Sequence, residues 1–288
     1  MAEIDFDCVD AHFHIWDLQK FSYQWPTPDV PALFRNFTPE DLKEAAKDIP
    51  IKHAVFVQVL NNSPEEAIWV SQLAEQHDVI KGVVAGIDVT DPNVKSTLEK
   101  VMNGKNKVVG IRHILDNLED EDTKWLSSDD VISGLRVLEN LGIPFDLLLR
   151  PHLTKCVLRL SKELPRLKMV VDHLAKPYIK AGLIDEWKKD MTVIAENPNI
   201  YCKLSGLVTE ADLTNWKEEQ FELYVKHILD CFGPGRCMFG SDWPVCTLAN
   251  ASYKDVFNIM LRLVRKLSPG NERAIFRENA MKFYGLKL

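Results

Sequence analysis

Residues 9–17 read VDAHFHIWD, an apolar stretch in which a single phenylalanine separates two histidines. Side chains of a β-strand alternate between its two faces, so His12 and His14 share a face if this stretch is a strand. On a helix the same spacing would turn the two imidazoles about 200° apart. The strand interpretation makes the histidines a pair, and it gives Asp10 the same face.

Seven further apolar runs, rich in branched residues, follow the first one at fairly regular intervals. Counting residues 8–16 as the first, the others are 53–59, 80–88, 108–114, 144–150, 168–173, 199–206 and 236–242. Helical periodicity lies between most of them, most clearly in residues 214–233, which end at Gly233-Pro234. Eight strands alternating with helices predict a parallel sheet, and eight such units favour an α/β fold closed into a (β/α)8 TIM-like barrel. A doubly wound open sheet is the alternative.

Two helical segments, 253–267 and 271–286, follow the last strand, and we expect one to complete the ring and one to cap it. No Gly/Ser/Pro-rich linker interrupts the chain, so we expect a single barrel domain over residues 1–288. Residues 18–39 are polar and broken by prolines. They predict a long loop after the first strand, which in a barrel lies over the active-site face.

Composition narrows the class of partner and the kind of metal site. The net charge is −7 and lysine and arginine form no run interleaved with aromatics, which disfavours nucleic acid and favours a small-molecule substrate. The acidic first residues and the absence of a stretch of about 18 apolar residues predict a cytoplasmic protein without a membrane span. Six cysteines without a C-x-x-C pair predict free thiols. A metal would then be held by histidine and carboxylate. The sequence does not indicate the oligomeric state.

Four side chains able to bind a metal or transfer a proton are placed at the same end of the predicted barrel. His173 ends the sixth strand and Asp242 the eighth, which adds two side chains to His12 and His14. Barrel active sites are built at the carboxyl ends of the strands. An isolated H-x-H is equally compatible with polar filler whose hydrogen bonds are satisfied, but four such residues at one rim favour a site.

Cationic residues are also predicted at this rim. Arg112 ends the fourth strand, and Arg150 and His152 follow the fifth. Lys203 lies inside the apolar seventh strand, where a charge is costly unless it faces a polar cavity. Arginine suits a substrate carboxylate or several hydroxyl oxygens. Pro151 marks a turn, so Arg150 and His152 are alternatively solvated side chains.

The chemistry that three histidines and an aspartate favour at a barrel mouth is hydrolysis by an activated water. One divalent ion on His12, His14 and Asp242 would lower the pKa of that water, while Asp242 takes its proton. His173 would polarise the carbonyl under attack. Without a metal, Asp242 can still act as the base. The chain has no G-x-G-x-x-G after the first strand, no P-loop and no G-x-S-x-G, which disfavours nucleotide cofactors and a serine nucleophile.

Several of these segments together resemble a known family. VDAHFHIWD, VFVQV, VVGIRHIL, VDHLAKP, IYCKLSG and MFGSDWPVC resemble, in this order, the amidohydrolase superfamily, and most closely its branch of sugar-lactone hydrolases such as L-fuconolactonase and L-rhamnonolactonase. The matching segments run from about Val9 to Tyr253. The resemblance implies a distorted barrel that opens the intramolecular ester of a sugar acid to the free acid.

The resemblance also assigns roles to residues. The family's first-strand pair, sixth-strand histidine and eighth-strand aspartate fall on His12, His14, His173 and Asp242. It implies that Arg112 and Lys203 lie near the substrate and that Trp25 and Trp243 pack on a sugar ring. Related lactonases work with or without a divalent ion, so we expect at most one metal, zinc if any.

Two other hypotheses are compatible with the sequence. Some amidohydrolases use the same histidines and aspartate to decarboxylate aromatic acids, so a metal-dependent decarboxylase is the alternative enzyme. A barrel that binds a ligand without catalytic activity is the third hypothesis. The presence of all four residues at the rim disfavours it.

Overall fold

The computed structural model describes residues 4–103, 107–113 and 128–288. Eight parallel strands form one sheet in the order β1 to β8, each beside its neighbour in sequence. This order confirms the barrel and excludes the doubly wound sheet. The strands are β1 (Cys8–Phe13), β2 (Ile51–Val57), β3 (Ile80–Gly86), β4 (Val108–His113), β5 (Phe145–Leu147), β6 (Met169–Val171), β7 (Ile200–Leu204) and β8 (Cys237–Phe239). Ile114, expected to end the fourth strand, lies outside the described residues.

The ring closes where β1 meets the segment that follows β8. The backbone N–H of His14 donates to the carbonyl of Trp243 at 2.8 Å, and the N–H of Asp242 donates to the carbonyl of His12 at 2.9 Å. Phe13 and Trp243 form a parallel bridge between these two backbones. Closure therefore brings together His12 and Asp242, the first and last residues of the predicted site, which are 230 positions apart in sequence.

Helices alternate with the strands and cover the outside of the barrel. The described helices are α1 (Pro39–Ala45), α2 (Pro64–Gln76), α3 (Val94–Val101), α4 (Asp129–Leu141), α5 (Thr154–Glu163), α6 (Asp185–Ala195), α7 (Leu207–Glu210), α8 (Glu219–Phe232), α9 (Tyr253–Leu267) and α10 (Asn279–Tyr284). The helical spacing in α8 is confirmed by its buried face, which consists of Phe221, Tyr224, Val225, Ile228, Leu229 and Phe232. Ser252 and Asp255 form a capping box that starts α9. No helix in the described ranges is long and apolar enough to cross a membrane.

The last helix covers one end of the barrel. Phe283 and Tyr284 of α10 belong to a buried cluster with Val9 and Tyr201, which lie near the starts of their strands. The rings of Phe283 and Tyr201 are 4.9 Å apart. The end at which the strands begin is thus filled by apolar side chains. A ligand cavity is left at the opposite end, where the strands finish.

Candidate active site

His12, His14, His173 and Asp242 converge at the carboxyl ends of the strands. Oδ1 of Asp242 is 3.3 Å from Nε2 of His14, 3.8 Å from Nε2 of His173 and 3.9 Å from Nε2 of His12. The Nε2 atoms of His12 and His14 are 3.2 Å apart. All four residues are buried. The structure therefore joins the four residues that the sequence placed at one rim.

The two histidines of the first strand point inward because of a bulge. The pairing of β1 with β2 shifts between Asp10 and Phe13, so β1 carries an extra residue there. Phe13 points outward and packs edge-to-face on Phe56. Nδ1 of His14 lies 2.7 Å from the carbonyl oxygen of Val57. A carbonyl only accepts, so Nδ1 of His14 carries a proton, and in this tautomer Nε2 presents a lone pair to the site.

The bulge also changes the expected place of Asp10, which does not share the face of the imidazoles. Its Oδ1 accepts the backbone N–H groups of His12 and Ser241, each at 2.9 Å. Its Oδ2 accepts the hydroxyl groups of Ser241 and Tyr253, each at 2.5 Å. One buried carboxylate thus ties β1 to the segment that carries Asp242. Burial raises the pKa of Asp10, while these four hydrogen bonds oppose the rise.

Lys203, which was expected near the substrate, lies beneath the site and does not line the cavity. Its Nζ is 2.6 Å from Oδ2 of Asp146, 2.9 Å from Oδ1 of Asp172 and 3.2 Å from Nδ1 of His12. Tyr284 of α10 donates to the same Asp146 oxygen at 2.7 Å. Lys203 is fully buried. The two aspartates therefore compensate a cation that the sequence assigned to a polar cavity.

Asp172 and Asp146 were missed by the sequence reasoning. Oδ1 of Asp172 is 3.4 Å from Nδ1 of His12, and its Oδ2 accepts from Nη1 of Arg112 at 3.1 Å. Burial raises the pKa of Asp172, but Lys203, His12 and Arg112 outweigh it and hold that pKa well below the usual range. A signal existed for Asp146, because PFDLLLR places a carboxylate in an apolar strand just as CKLSG places a lysine.

A left-handed turn after β6 directs the side chain of His173 into the site. The four residues from His173 to Lys176 have φ of 53°, 54°, 59° and 48°, a conformation that costs roughly 1–2 kcal/mol for each residue other than glycine. The turn is held by Trp187, whose Nε1 donates to the carbonyl of Leu174 at 2.7 Å. Strain of this kind is concentrated at functional sites. Here it points His173 and Lys176 into the same cavity.

Two residues that line the cavity, His173 and Asp242, differ in charge. Burial lowers the pKa of His173 to about 4, more than Asp242 and Asp172 raise it, so the imidazole is neutral at pH 7. Burial raises the pKa of Asp242, but His173 and His14 outweigh it and the net shift is downward. Nδ1 of His173 is 2.8 Å from the hydroxyl oxygen of Ser205. The site holds an ionised carboxylate beside a neutral imidazole.

A cavity of about 360 Å³ opens in front of these groups. It is lined by His14, Trp25, Val59, Leu60, Arg112, Leu148, Arg150, His173, Lys176, Thr209, Glu210, Asp242, Val245 and Leu248. Arg112 and Trp25 thus lie where a bound molecule would touch them. Trp25 belongs to the long loop predicted to cover this face.

Two other residues expected at the substrate lie elsewhere. Trp243 is almost completely buried and packs edge-to-face on Phe37 and in parallel with Tyr253. His152 lies in the short turn Pro151–Leu153 and does not line this cavity. The sequence located both near the mouth, but the direction of each side chain depends on packing between loops that are distant in sequence.

Comparison with known proteins agrees with this geometry. The sequence profile of the amidohydrolase family matches residues 9–286.

The chain belongs to the amidohydrolase family.

Among characterised amidohydrolases, this family member is similar to an L-fucono-1,5-lactonase of Burkholderia ambifaria. The two are 31% identical over 285 residues, which cover 96% of this chain and 94% of the relative. A solved amidohydrolase from Burkholderia multivorans with bound zinc has a TM-score of 0.90 and 28% identity, covering 98% of this chain and all of that one. A 2,6-dihydroxybenzoate decarboxylase, at 15% identity and a TM-score of 0.66 over 98% of this chain and all of that one, shares the fold.

Proposed function

We propose that this amidohydrolase hydrolyses the lactone of a sugar acid, adding water across the ring ester to give the open hydroxy acid. The observation that carries the proposal is the ionised Asp242 beside neutral His173 in a cavity that also presents Arg112. The similarity to an L-fucono-1,5-lactonase over nearly the whole length of both chains supports it. The resemblance to the decarboxylase is limited to the fold and favours no second function.

Asp242 acts as the base in this proposal. Water attacks the lactone carbonyl while an oxygen of Asp242 takes one of its protons, which forms a tetrahedral intermediate. The intermediate collapses when the bond to the ring oxygen breaks, and the proton on Asp242 passes to that oxygen. The products are a hydroxyl group and a carboxylic acid on one open chain, so the acid releases a proton at neutral pH.

His173 stabilises the charge that develops on the carbonyl oxygen. When the hydroxyl of Ser205 donates to Nδ1 of His173, the neutral ring carries its proton on Nε2. That N–H points toward the cavity and can donate to the oxyanion. Arg112 and Trp25 bind the substrate from the cavity wall. Lys203, which does not line the cavity, acts on the reaction through its contact to His12.

The donor set fits one divalent ion, with zinc the ion we propose. Ligand atoms about 2.0–2.2 Å from a tetrahedral zinc lie about 3.3–3.6 Å from one another. Nε2 of His14 lies 3.2 Å from Nε2 of His12 and 3.3 Å from Oδ1 of Asp242, close to this spacing, while the distance from His12 to Asp242 is slightly longer at 3.9 Å. Such an ion, when bound, supplies Lewis acidity that lowers the pKa of water. His12, His173 and Asp242 form a second, overlapping group whose ligand atoms lie within 4.8 Å.

A screen of aldono-1,4- and aldono-1,5-lactones tests the proposed function. Proton release is followed with a pH indicator, with and without chelator, and carbon dioxide is monitored in parallel. We expect proton release without carbon dioxide. Asp242→Asn should lower kcat by two to four orders of magnitude with an unchanged circular dichroism spectrum. Asp230→Asn, on the outside of α8, should keep full activity. An Asp242→Asn variant with more than half of the parent's turnover would refute the role of this residue.

A further inference from the structure

Three charged residues that the proposed chemistry does not use meet at the wall of the cavity. Arg150 follows β5, Lys176 ends the left-handed turn after β6, and Glu210 ends α7, which follows β7. Oε2 of Glu210 is 3.4 Å from Nη1 of Arg150, and its Oε1 is 3.4 Å from Nζ of Lys176. All three line the cavity. The carboxylate of Glu210 therefore lies between two cations contributed by neighbouring loops.

This group differs from the ion pairs on the outside of the barrel. The side chain of Glu210 is only 13% exposed and that of Lys176 18%. Both contacts to Glu210 are long for charge-assisted hydrogen bonds, which are about 2.7–2.9 Å when optimal. A carboxylate offers about four lone-pair positions and a guanidinium five N–H donors, so this geometry leaves capacity on both for a molecule in the cavity.

The charged groups occupy one side of the cavity mouth. Because the strands follow one another around a closed ring, the loops after β5, β6 and β7 form one arc of the mouth, and those after β8, β1 and β2 form the adjoining arc. Apart from His14 and Asp242 of the site, this second arc lines the cavity with apolar side chains, namely Trp25, Val59, Leu60, Val245 and Leu248. Thr209 adds a hydroxyl to the charged side, and Leu148 is its one apolar member in the described lining. A ligand with hydroxyl groups along one edge matches this division.

We infer that Glu210, held between Arg150 and Lys176, determines specificity by binding two adjacent hydroxyl groups of the substrate ring. The carboxylate accepts from both hydroxyls, while Arg150 and Lys176 donate to their oxygens. The inference rests on the proposed function and narrows it to lactones that carry a vicinal diol. A simple lactone of the same ring size would enter the cavity but leave Glu210 without its partner.

Kinetics on two substrates test this role. Glu210→Gln should lower kcat/KM on L-fucono-1,5-lactone by about 10- to 100-fold, since hydrogen bonds to a charged group are worth about 1.5–3 kcal/mol. The same variant should change kcat/KM on unsubstituted δ-valerolactone by less than about threefold. Glu222→Gln, which removes the exposed contact to Lys266 on the outside of the barrel, is the matched control and should leave both values unchanged. Equal losses of kcat/KM on the two substrates would show a purely structural role and overturn the inference. An unchanged kcat/KM of Glu210→Gln on L-fucono-1,5-lactone would overturn it as well.

A binding measurement separates this inference from the proposed reaction. L-fucopyranose has the ring hydroxyls without an ester, so its affinity by titration calorimetry requires no turnover. We expect Glu210→Gln to weaken this binding about 10-fold or more and Asp242→Asn to change it little. If the protein binds L-fucopyranose in this pattern but hydrolyses no lactone, the proposed reaction is refuted and the diol site stands. No binding to the parent protein, or equal binding to Glu210→Gln, would overturn the diol site.

Discussion

Nε2 of His12 lies 3.2 Å from Nε2 of His14. Since Nδ1 of His14 donates to Val57, the facing Nε2 of this ring has a lone pair. His12 has two options, because its own Nδ1 faces both a carboxylate oxygen of Asp172 and the ammonium of Lys203. Donation from Nδ1 to Asp172 leaves a second lone pair on Nε2, and a cation is then needed between the rings. Donation from Lys203 leaves Nε2 protonated and able to bond His14 directly.

Metal binding should therefore be visible as stabilisation. Zinc added to chelator-treated protein at about 100 times its Kd should stabilise the fold by about 2.7 kcal/mol and raise Tm by roughly 5–10 °C. His14→Gln should lose most of this shift, whereas His227→Gln, a histidine on α8, should keep it. Thermal unfolding followed by circular dichroism measures the effect. Equal shifts in the two variants would place the zinc elsewhere.

Asp10 should contribute to stability through the closure of the barrel. In Asp10→Asn an NH2 group replaces one carboxylate oxygen and faces two hydrogen-bond donors that it cannot accept from. We therefore expect a loss of about 2–4 kcal/mol in the free energy of unfolding. The activity of the folded variant should fall as well, since the same carboxylate holds Ser241, the residue next to Asp242. Urea unfolding with Asp7→Asn as an exposed control provides the measurement. A loss below about 0.5 kcal/mol would show that closure does not depend on this carboxylate.

Gly206 should matter for the position of His173. Its φ is 68°, and a Cβ at this residue would lie 2.8 Å from atoms of the His173 side chain. Gly142 has φ of 69° with open space around an added Cβ, which makes it a matched control. Both Gly→Ala variants should lose about 1 kcal/mol from the left-handed conformation. Only Gly206→Ala should also lose about tenfold or more in kcat/KM. Equal activity of the two variants would contradict the role of this close approach.

Glu66 should make stability depend on pH. Its carboxyl is buried in α2, and burial raises its pKa from 4.5 to about 8, against weaker opposing contributions from Tyr23, Val59 and Arg112. Between these two values the folded state holds a proton that the unfolded state has released, so stability falls as pH rises. The expected slope is about 1.4 kcal/mol per pH unit relative to Glu66→Gln.

Urea unfolding of both proteins from pH 6.5 to pH 8 measures this slope. Glu66→Gln cannot ionise and should become the more stable of the two as pH rises. Glu65→Gln, the exposed neighbour in the same turn, should keep the parent's slope. Parallel stability curves for the parent and Glu66→Gln would mean that the buried carboxyl does not carry the proton.

Local pattern was sufficient for the barrel. Eight apolar runs lie where the eight strands are found, because buried parallel strands require continuous apolar sequence whatever surrounds them. The strand ends moved by a few residues, as with the fifth run, 144–150, of which β5 covers Phe145–Leu147. Polar residues at those ends were enough to nominate His12, His14, His173 and Asp242, since parallel strands finish at one rim.

Partners across the barrel could not be predicted in the same way. Lys203 was recognised as a costly buried charge, but it is compensated by Asp146 of β5 and by Asp172 just after β6, which are 57 and 31 residues away in sequence. The face of Asp10 was predicted wrongly because strict alternation does not anticipate a bulge. Glu210 was not predicted to lie at the site, because a glutamate at the end of a short helix ordinarily faces water.

The amino-acid sequence by itself determined the barrel and placed His12, His14, His173 and Asp242 at one end of it, because periodicity and strand ends are local properties. Only the tertiary structure decided which side chains touch. Closure of the ring brings Asp242 to His12, a left-handed turn aims His173, and three separate loops bring Arg150, Lys176 and Glu210 together. These contacts depend on the register between strands and on the direction of each loop, which are fixed by packing over the whole chain.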